Sequence, residues 1–338
     1  MAFPQLFSLA LCILMLTSST TSVSEYPSEL TATFYDETCP ALQSIVRDVM
    51  TQAVQKEARM AASILRLFFH DCFVQGCDAS LLLDDAMGFQ GEKPTGANLN
   101  SVRGFDVIDN IKGQVESTCK GIVSCADILS LAARDAVVLL NGPTWAVLLG
   151  RRDSRTASPS GATNNIPSPA STLSQLIAKF QAQGLSITDM TALAGAHTIG
   201  QARCTTFKQR LYNASGAGDQ DPTMDTTLMA QLKQSCPANG GDNNLSPLDV
   251  STPSTFDNLY FANLQSERGL LFSDQVLFSS NETSTAATAA AIQRLIATWA
   301  FDKSAFFCAF TAAMITMGNI NPITDSSGEI RINCRLRN

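Results

Sequence analysis

Histidine is scarce in this chain: there are two in 338 residues, His70 and His197. No His-x3-His and no paired Cys-x2-Cys spacing accompanies them, so a zinc hydrolase finds no support in the spacing. Charge is sparse as well, at 16% of residues, and the net charge of −7 excludes nucleic acid as the main partner, because phosphate binding needs clustered Lys and Arg. Long apolar runs are missing. Leu6 to Leu16 is too short to span a bilayer comfortably and nothing later is longer, so no membrane span is expected. Period-two alternation is nearly absent, which excludes a sheet-rich fold. What is present is 45% hydrophobic residues, enough for a substantial core and against disorder.

The N-terminal apolar run is followed by small side chains at Ser22-Val23-Ser24. This pattern reads as a secretory signal peptide over residues 1–24, cleaved near Ser24, with 25–338 as a single mature domain; the competing reading is a buried N-terminal helix. Cysteine usage agrees with export. Cys12 lies in the signal segment and nine others follow, which in an oxidising compartment pair and leave one over. Cys308, inside Phe306-Phe307-Cys308-Ala309-Phe310, is the natural odd one, as a small buried apolar thiol. Spacing does not assign the partners of the remaining eight. Asn213-Ala214-Ser215 and Asn281-Glu282-Thr283 are glycosylation sequons, while Asn244-Leu245-Ser246 is weakened by Pro247.

Helical periodicity dominates, so the fold is expected to be mainly α with at most short β-ribbons. Leu42, Ile45, Val46, Val49, Met50, Ala53 and Val54 follow the i, i+3, i+4, i+7 rule, with Pro40 in the first turn. Ser124 to Leu140 predicts a helix capped by Ser124. Thr172-Leu173-Ser174-Gln175 matches a capping box, and Gly184 suits the end of the helix it starts. Phe256 to Arg268, Ala286 to Ala300 and Lys303 to Met317 are further helical stretches, and Gly150 to Pro169 reads as a long loop near the middle of the chain.

Arg66-Leu67-Phe68-Phe69-His70-Asp71-Cys72 carries the densest chemistry. On a helix, Arg66 and His70 share a face, so an imidazole can move a proton while a guanidinium stabilises a developing anion. Asp71, Val74, Gly76, Asp78 and Ser80 then offer two carboxylates, a hydroxyl and carbonyls on a tight turn, which suits Ca²⁺ without the EF-hand spacing. The plainer alternatives are a core histidine beside a surface arginine, and a turn with ordinary acids. The second histidine lies in Leu193-Ala194-Gly195-Ala196-His197-Thr198, after a helical start at Thr188-Asp189. Small residues there would let a flat cofactor approach, and imidazole is a common axial ligand of haem iron. By itself that segment reads equally as a packed core histidine.

Taken together, Arg66 to Ser80 and Leu193 to Gly200 resemble the distal and proximal segments of the secreted plant (class III) haem peroxidases. The resemblance runs from Phe34-Tyr35 to Cys334, through Asn98 to Phe105, Val123 to Asp127, Asn165-Ile166-Pro167, Phe256-Asp257-Asn258 and Gly269 to Gln275. Phe68 departs from the His that many members carry there. The resemblance implies a plant-type peroxidase fold of about ten or more helices in two halves, with one haem b between them and minimal β structure. It implies disulfides Cys39–Cys119, Cys72–Cys77, Cys125–Cys334 and Cys204–Cys236.

By the same resemblance His197 ligates the iron and Asp274 accepts a hydrogen bond from its other nitrogen, while His70 is the distal acid–base residue and Arg66 stabilises charge as the O–O bond breaks. Asn98 holds the His70 tautomer, the acid Glu92 supports Asn98, Phe69 lies over the haem, and the Pro167 carbonyl helps place an aromatic donor. One Ca²⁺ takes Asp71, Val74, Gly76, Asp78 and Ser80; a second takes Thr198, Asp249, Thr252, Thr255 and Asp257. The implied activity is reduction of hydrogen peroxide with oxidation of small phenolic donors in two one-electron steps, by a monomer in the apoplast or cell wall. The alternative is an exported haem- or wall-binding protein without turnover.

Overall fold

Leu42, Val46, Val49, Met50 and Val54 all point inward from one face of α1 (Leu42–Lys56), as their spacing requires. The computed structural model describes residues 30–338, so the signal-peptide reading and Cys12 lie outside the described residues. Pro40 precedes this helix rather than sitting in its first turn. α2 (Arg59–Cys72), α3 (Phe105–Thr118) and α4 (Cys125–Leu139) follow. From Cys125 to Val137 every residue of α4 is buried, so it is a central helix with no solvent face, and α2 packs along it. Ser124 caps it as expected, its hydroxyl accepting from the Asp127 amide at 3.1 Å.

The stretch from Gly150 to Pro169 is not wholly loop: it holds the short α5 (Pro159–Asn164), capped by Ser158 and with Pro159 in its first turn. α6 (Leu173–Ala182) has the expected capping box, and α7 (Ile187–Ala194) begins one residue before the expected start, with Ser186 and Asp189 forming a second box. A three-residue ribbon, β1 (Gln201–Arg203) antiparallel to β2 (Leu245–Pro247), is the one named sheet among the described residues. Between and beyond come α8 (Lys208–Tyr212), α9 (Thr226–Ser235), α10 (Leu259–Gln265), α11 (Phe272–Ser279), α12 (Ala286–Phe301) and α13 (Lys303–Gly318). The mainly α fold is therefore as expected.

The expected helix from Phe256 to Arg268 is shorter. Residues 256–258 are used elsewhere: the Phe256 amide donates to Leu140 O, and Asn258 Nδ2 donates to the last carbonyls of α12, at Trp299 and Ala300. Helices α1 to α4 pack among themselves, as do α6, α7 and α10 to α13, and one apolar core runs through both groups. A smaller core surrounds Cys204–Cys236 with Phe207, Leu211, Leu228 and Leu270. The four disulfides between described residues are Cys39–Cys119, Cys72–Cys77, Cys125–Cys334 and Cys204–Cys236. Cys308 is not a free thiol, which corrects the expectation of an odd cysteine; nor is it fully buried, because it lies on the half-exposed face of α13 while Phe306 and Phe310 fill the core.

Candidate active site

Arg66 and His70 lie four residues apart on α2, with His70 on the last turn and only 2% exposed. Its Nδ1 is 2.6 Å from Asn98 Oδ1. Asn98 Nδ2 in turn donates to the main-chain carbonyl of Glu92 at 3.0 Å, which fixes the amide so that Oδ1 faces the histidine. Oδ1 can only accept, so the proton sits on Nδ1 and Nε2 is left as a proton acceptor. Burial holds the His70 pKa well below 6.5, and Arg66 adds to this, against the opposing bond to Asn98. The imidazole is thus neutral at neutral pH.

The acid of Glu92 was expected to support Asn98, but its backbone oxygen does so instead. Its carboxylate accepts from the Ser158 amide at 2.9 Å through Oε1, leaves Oε2 buried without a partner, and is pushed by burial up to about 7. Arg66 is anchored by Ala97 O and Ser101 Oγ, each at 3.2 Å, two partners that sequence reading did not name. Burial lowers its pKa to about 10, still high enough to keep the charge. Phe69 packs on Phe73 with ring centroids 4.4 Å apart and lies roughly perpendicular to the His70 ring. Pro167 is half-buried in the segment after α5, where Lys179 Nζ donates to Ile166 O at 3.2 Å.

His197 sits on a 3-10 turn, Gly195–Thr198, that continues α7. Its Nδ1 is 2.7 Å from Asp274 Oδ1 at the start of α11, yet the side chain keeps 36% exposure, so the imidazole opens to one side while a carboxylate holds the other. Burial lowers its pKa, but Asp274, by charge and by hydrogen bond, outweighs this and the net direction is upward. The Arg66 charge also reaches His197, and Gly200 packs directly on Ala62 of α2, so the two histidine segments adjoin. Packing also requires Gly195 to be small: a Cβ there would lie 2.6 Å from the Phe306 ring and 2.9 Å from that of Phe261. Tyr260, also missed in the sequence, donates its hydroxyl to Asp274 Oδ1 at 3.1 Å. The available signal was that a buried tyrosine hydroxyl needs a partner.

Two oxygen clusters flank the histidines. Asp71 and Asp78 are buried and face a turn in which Gly76, at φ +134°, packs against Asn321 O and Ile320 O, leaving no room for a side chain. Burial pushes both carboxyls up, with Asp78 adding to the effect on Asp71, and Ser80 Oγ is buried without a partner. On the other side the Thr198 hydroxyl lies 3.3 Å from both Asp249 Oδ2 and Asp257 Oδ1, and Thr252 Oγ1 is buried and unpartnered. Buried carboxylates beside an orphaned hydroxyl could hold a hard cation. Val74 is buried in the first cluster and Thr255 is half-buried in the second.

Comparison with known proteins agrees. The family model described as "Peroxidase" matches residues 46–293. The chain is 54% identical over 313 residues to Peroxidase 49 of Arabidopsis thaliana, covering 93% of this chain and 92% of that one. It is 54% identical over 309 residues to Peroxidase 4 of Vitis vinifera (91% of each), and 50% identical over 338 residues to Peroxidase 15 of Ipomoea batatas (100% and 99%). With likeness this extensive, and with two histidines set in opposite electrostatic surroundings, the chain belongs to the plant class III haem peroxidase family.

Proposed function

We propose that His70 and Arg66 act on hydrogen peroxide, that His197 holds the haem iron, and that small phenols supply the electrons. The residues fit haem: an imidazole whose Nδ1 is tied to Asp274 presents its open edge, and the segment bearing it adjoins the helix carrying Arg66 and His70. When bound, haem supplies an iron centre that gives two electrons to the peroxide O–O bond and regains them singly from donors. The protein's part is proton movement and charge. His70 Nε2 takes the proton from the attacking oxygen of H₂O₂ and returns it to the departing oxygen, so that water leaves. Arg66 stabilises the negative charge that develops as that bond breaks. Asp274 increases the basicity of His197, and Asn98 keeps Nε2 of His70 free of a proton. Phe69 limits access, and the carbonyl of Pro167 helps hold an aromatic donor.

Ca²⁺ suits both oxygen clusters, one with Asp71, Val74, Gly76, Asp78 and Ser80, the other with Thr198, Asp249, Thr252, Thr255 and Asp257. Asp71 follows His70 and Thr198 follows His197, so each ion would steady the neighbour of one histidine. Residues 25–338 act as one exported, monomeric domain in the apoplast or cell wall. Exposed Asn213 and Asn281 and the four disulfides between described residues support export.

The neutral, buried, Asn98-bonded state of His70 is the observation that carries the reading. Its test is guaiacol oxidation by the purified, haem- and calcium-loaded protein with H₂O₂. Turnover that His70→Ala abolishes is expected, whereas no turnover in either form would leave only the haem- or wall-binding alternative.

A further inference from the structure

Asp274 Oδ1 serves two donors at once, His197 Nδ1 at 2.7 Å and Tyr260 Oη at 3.1 Å, while Oδ2 accepts the Leu271 amide at 3.2 Å. A carboxylate oxygen has two lone pairs, so both donors can bind, but each draws electron density from the other. A donor to the charged form also makes a carboxylate a weaker base. Tyr260 is 2% exposed, so its hydroxyl is shut off from bulk solvent. Its ring is seated on Phe261 at 5.2 Å and lies edge-on to the His197 ring at 6.3 Å. The backbone of α10 is fixed just ahead of it, because the Leu259 amide donates to Asp257 Oδ1 at 2.8 Å. The hydroxyl is therefore held on the same oxygen that the histidine uses.

We propose that Tyr260 is a positioning residue that competes with His197 for Asp274 Oδ1 and so limits the electron donation of His197 to the haem iron. The inference rests on His197 being the iron ligand. Removing the hydroxyl leaves the whole of Oδ1 to Nδ1, giving the imidazole more anionic character, which favours oxidised iron and a stiffer iron–imidazole bond.

The test is resonance Raman spectroscopy of the ferrous holoprotein, with potentiometry of the ferric/ferrous couple. Tyr260→Phe should keep the Soret band and far-UV circular dichroism of the parent, raise the iron–imidazole stretching frequency and shift the midpoint potential to more negative values. An unmoved or lowered frequency in a folded, haem-loaded Tyr260→Phe protein overturns the proposal. Should that variant fail to fold, biosynthetic 3-fluorotyrosine gives the opposite sign. The fluorinated phenol is the stronger donor, so the frequency should fall, and no change overturns the proposal equally. The ligand reading fails separately: a parent protein without an iron–imidazole mode removes both claims, whereas a parent mode that Tyr260→Phe leaves in place removes only the role of Tyr260.

Discussion

His70 and His197 are the same side chain in two settings. Each has Nδ1 within 2.7 Å of a side-chain oxygen, 2.6 Å in one case and 2.7 Å in the other. The partner is a neutral amide at His70 and a carboxylate at His197, and the imidazoles are driven in opposite directions, the first held well below its usual pKa and the second raised. One hydrogen bond thus accompanies a neutral imidazole, while the other makes the ring more basic, as the proposed base and the proposed iron ligand require. The charge of the partner sets the direction of the shift more than the distance does.

The strongest way to break this comparison is to delete each ring. His70→Ala should keep haem and slow the reaction with peroxide by about 10²–10⁴-fold, the usual worth of a general base, whereas His197→Ala should lose haem, seen as a lost Soret band. Stopped-flow mixing with H₂O₂ checks the first; a variant with parent kinetics would refute the assignment. Next, Asp274→Asn makes the two partners alike. It should slow the peroxide reaction by about 10–100-fold with the fold intact, as loss of an outer partner of a metal ligand does.

Asn98→Asp is the converse exchange. A carboxylate beside His70 favours its cation and should raise its pKa by about one to three pH units. In the parent, the rate with peroxide should be flat through neutral pH and fall only in acid well below pH 6.5, where His70 gains a proton. In Asn98→Asp that acid limb should move up toward neutrality, with the rate restored at higher pH. An unshifted profile would show that the amide's neutrality is irrelevant. The smallest effect on chemistry should come from removing calcium with a chelator. Saturation at a thousandfold over Kd stabilises a site by about 4 kcal/mol, so melting temperature should drop clearly. Activity should decline afterwards as both histidine neighbours loosen.

Much of this site was legible in the sequence where local rules decide. The i, i+4 pair Arg66 and His70 needed only a helix, and Ser124 and Thr172 capped as their types require. What was not legible depends on contacts far apart in the chain. His197 and Asp274 are 77 residues apart, and their pairing came from resemblance alone. The 3-10 turn under His197, the backbone role of Glu92 and the hydroxyl of Tyr260 have no period or spacing to announce them. Residues 256–258 look helical by composition yet are drawn away by Leu140 and α12. The half-exposed setting of Cys308 likewise could not be read from the aromatic residues around it.

The carbonyl of Glu92 that orients Asn98 belongs to the main chain, so every amino acid placed at that position brings it along. The orientation of the distal amide is therefore insulated from point mutation at its own support, provided the turn survives. The hydroxyl that bonds Asp274 has no such insurance: Tyr260 acts through a side-chain atom, and one codon change removes it. Natural variation among such sequences should accordingly alter the support of Asp274 more readily than the support of Asn98.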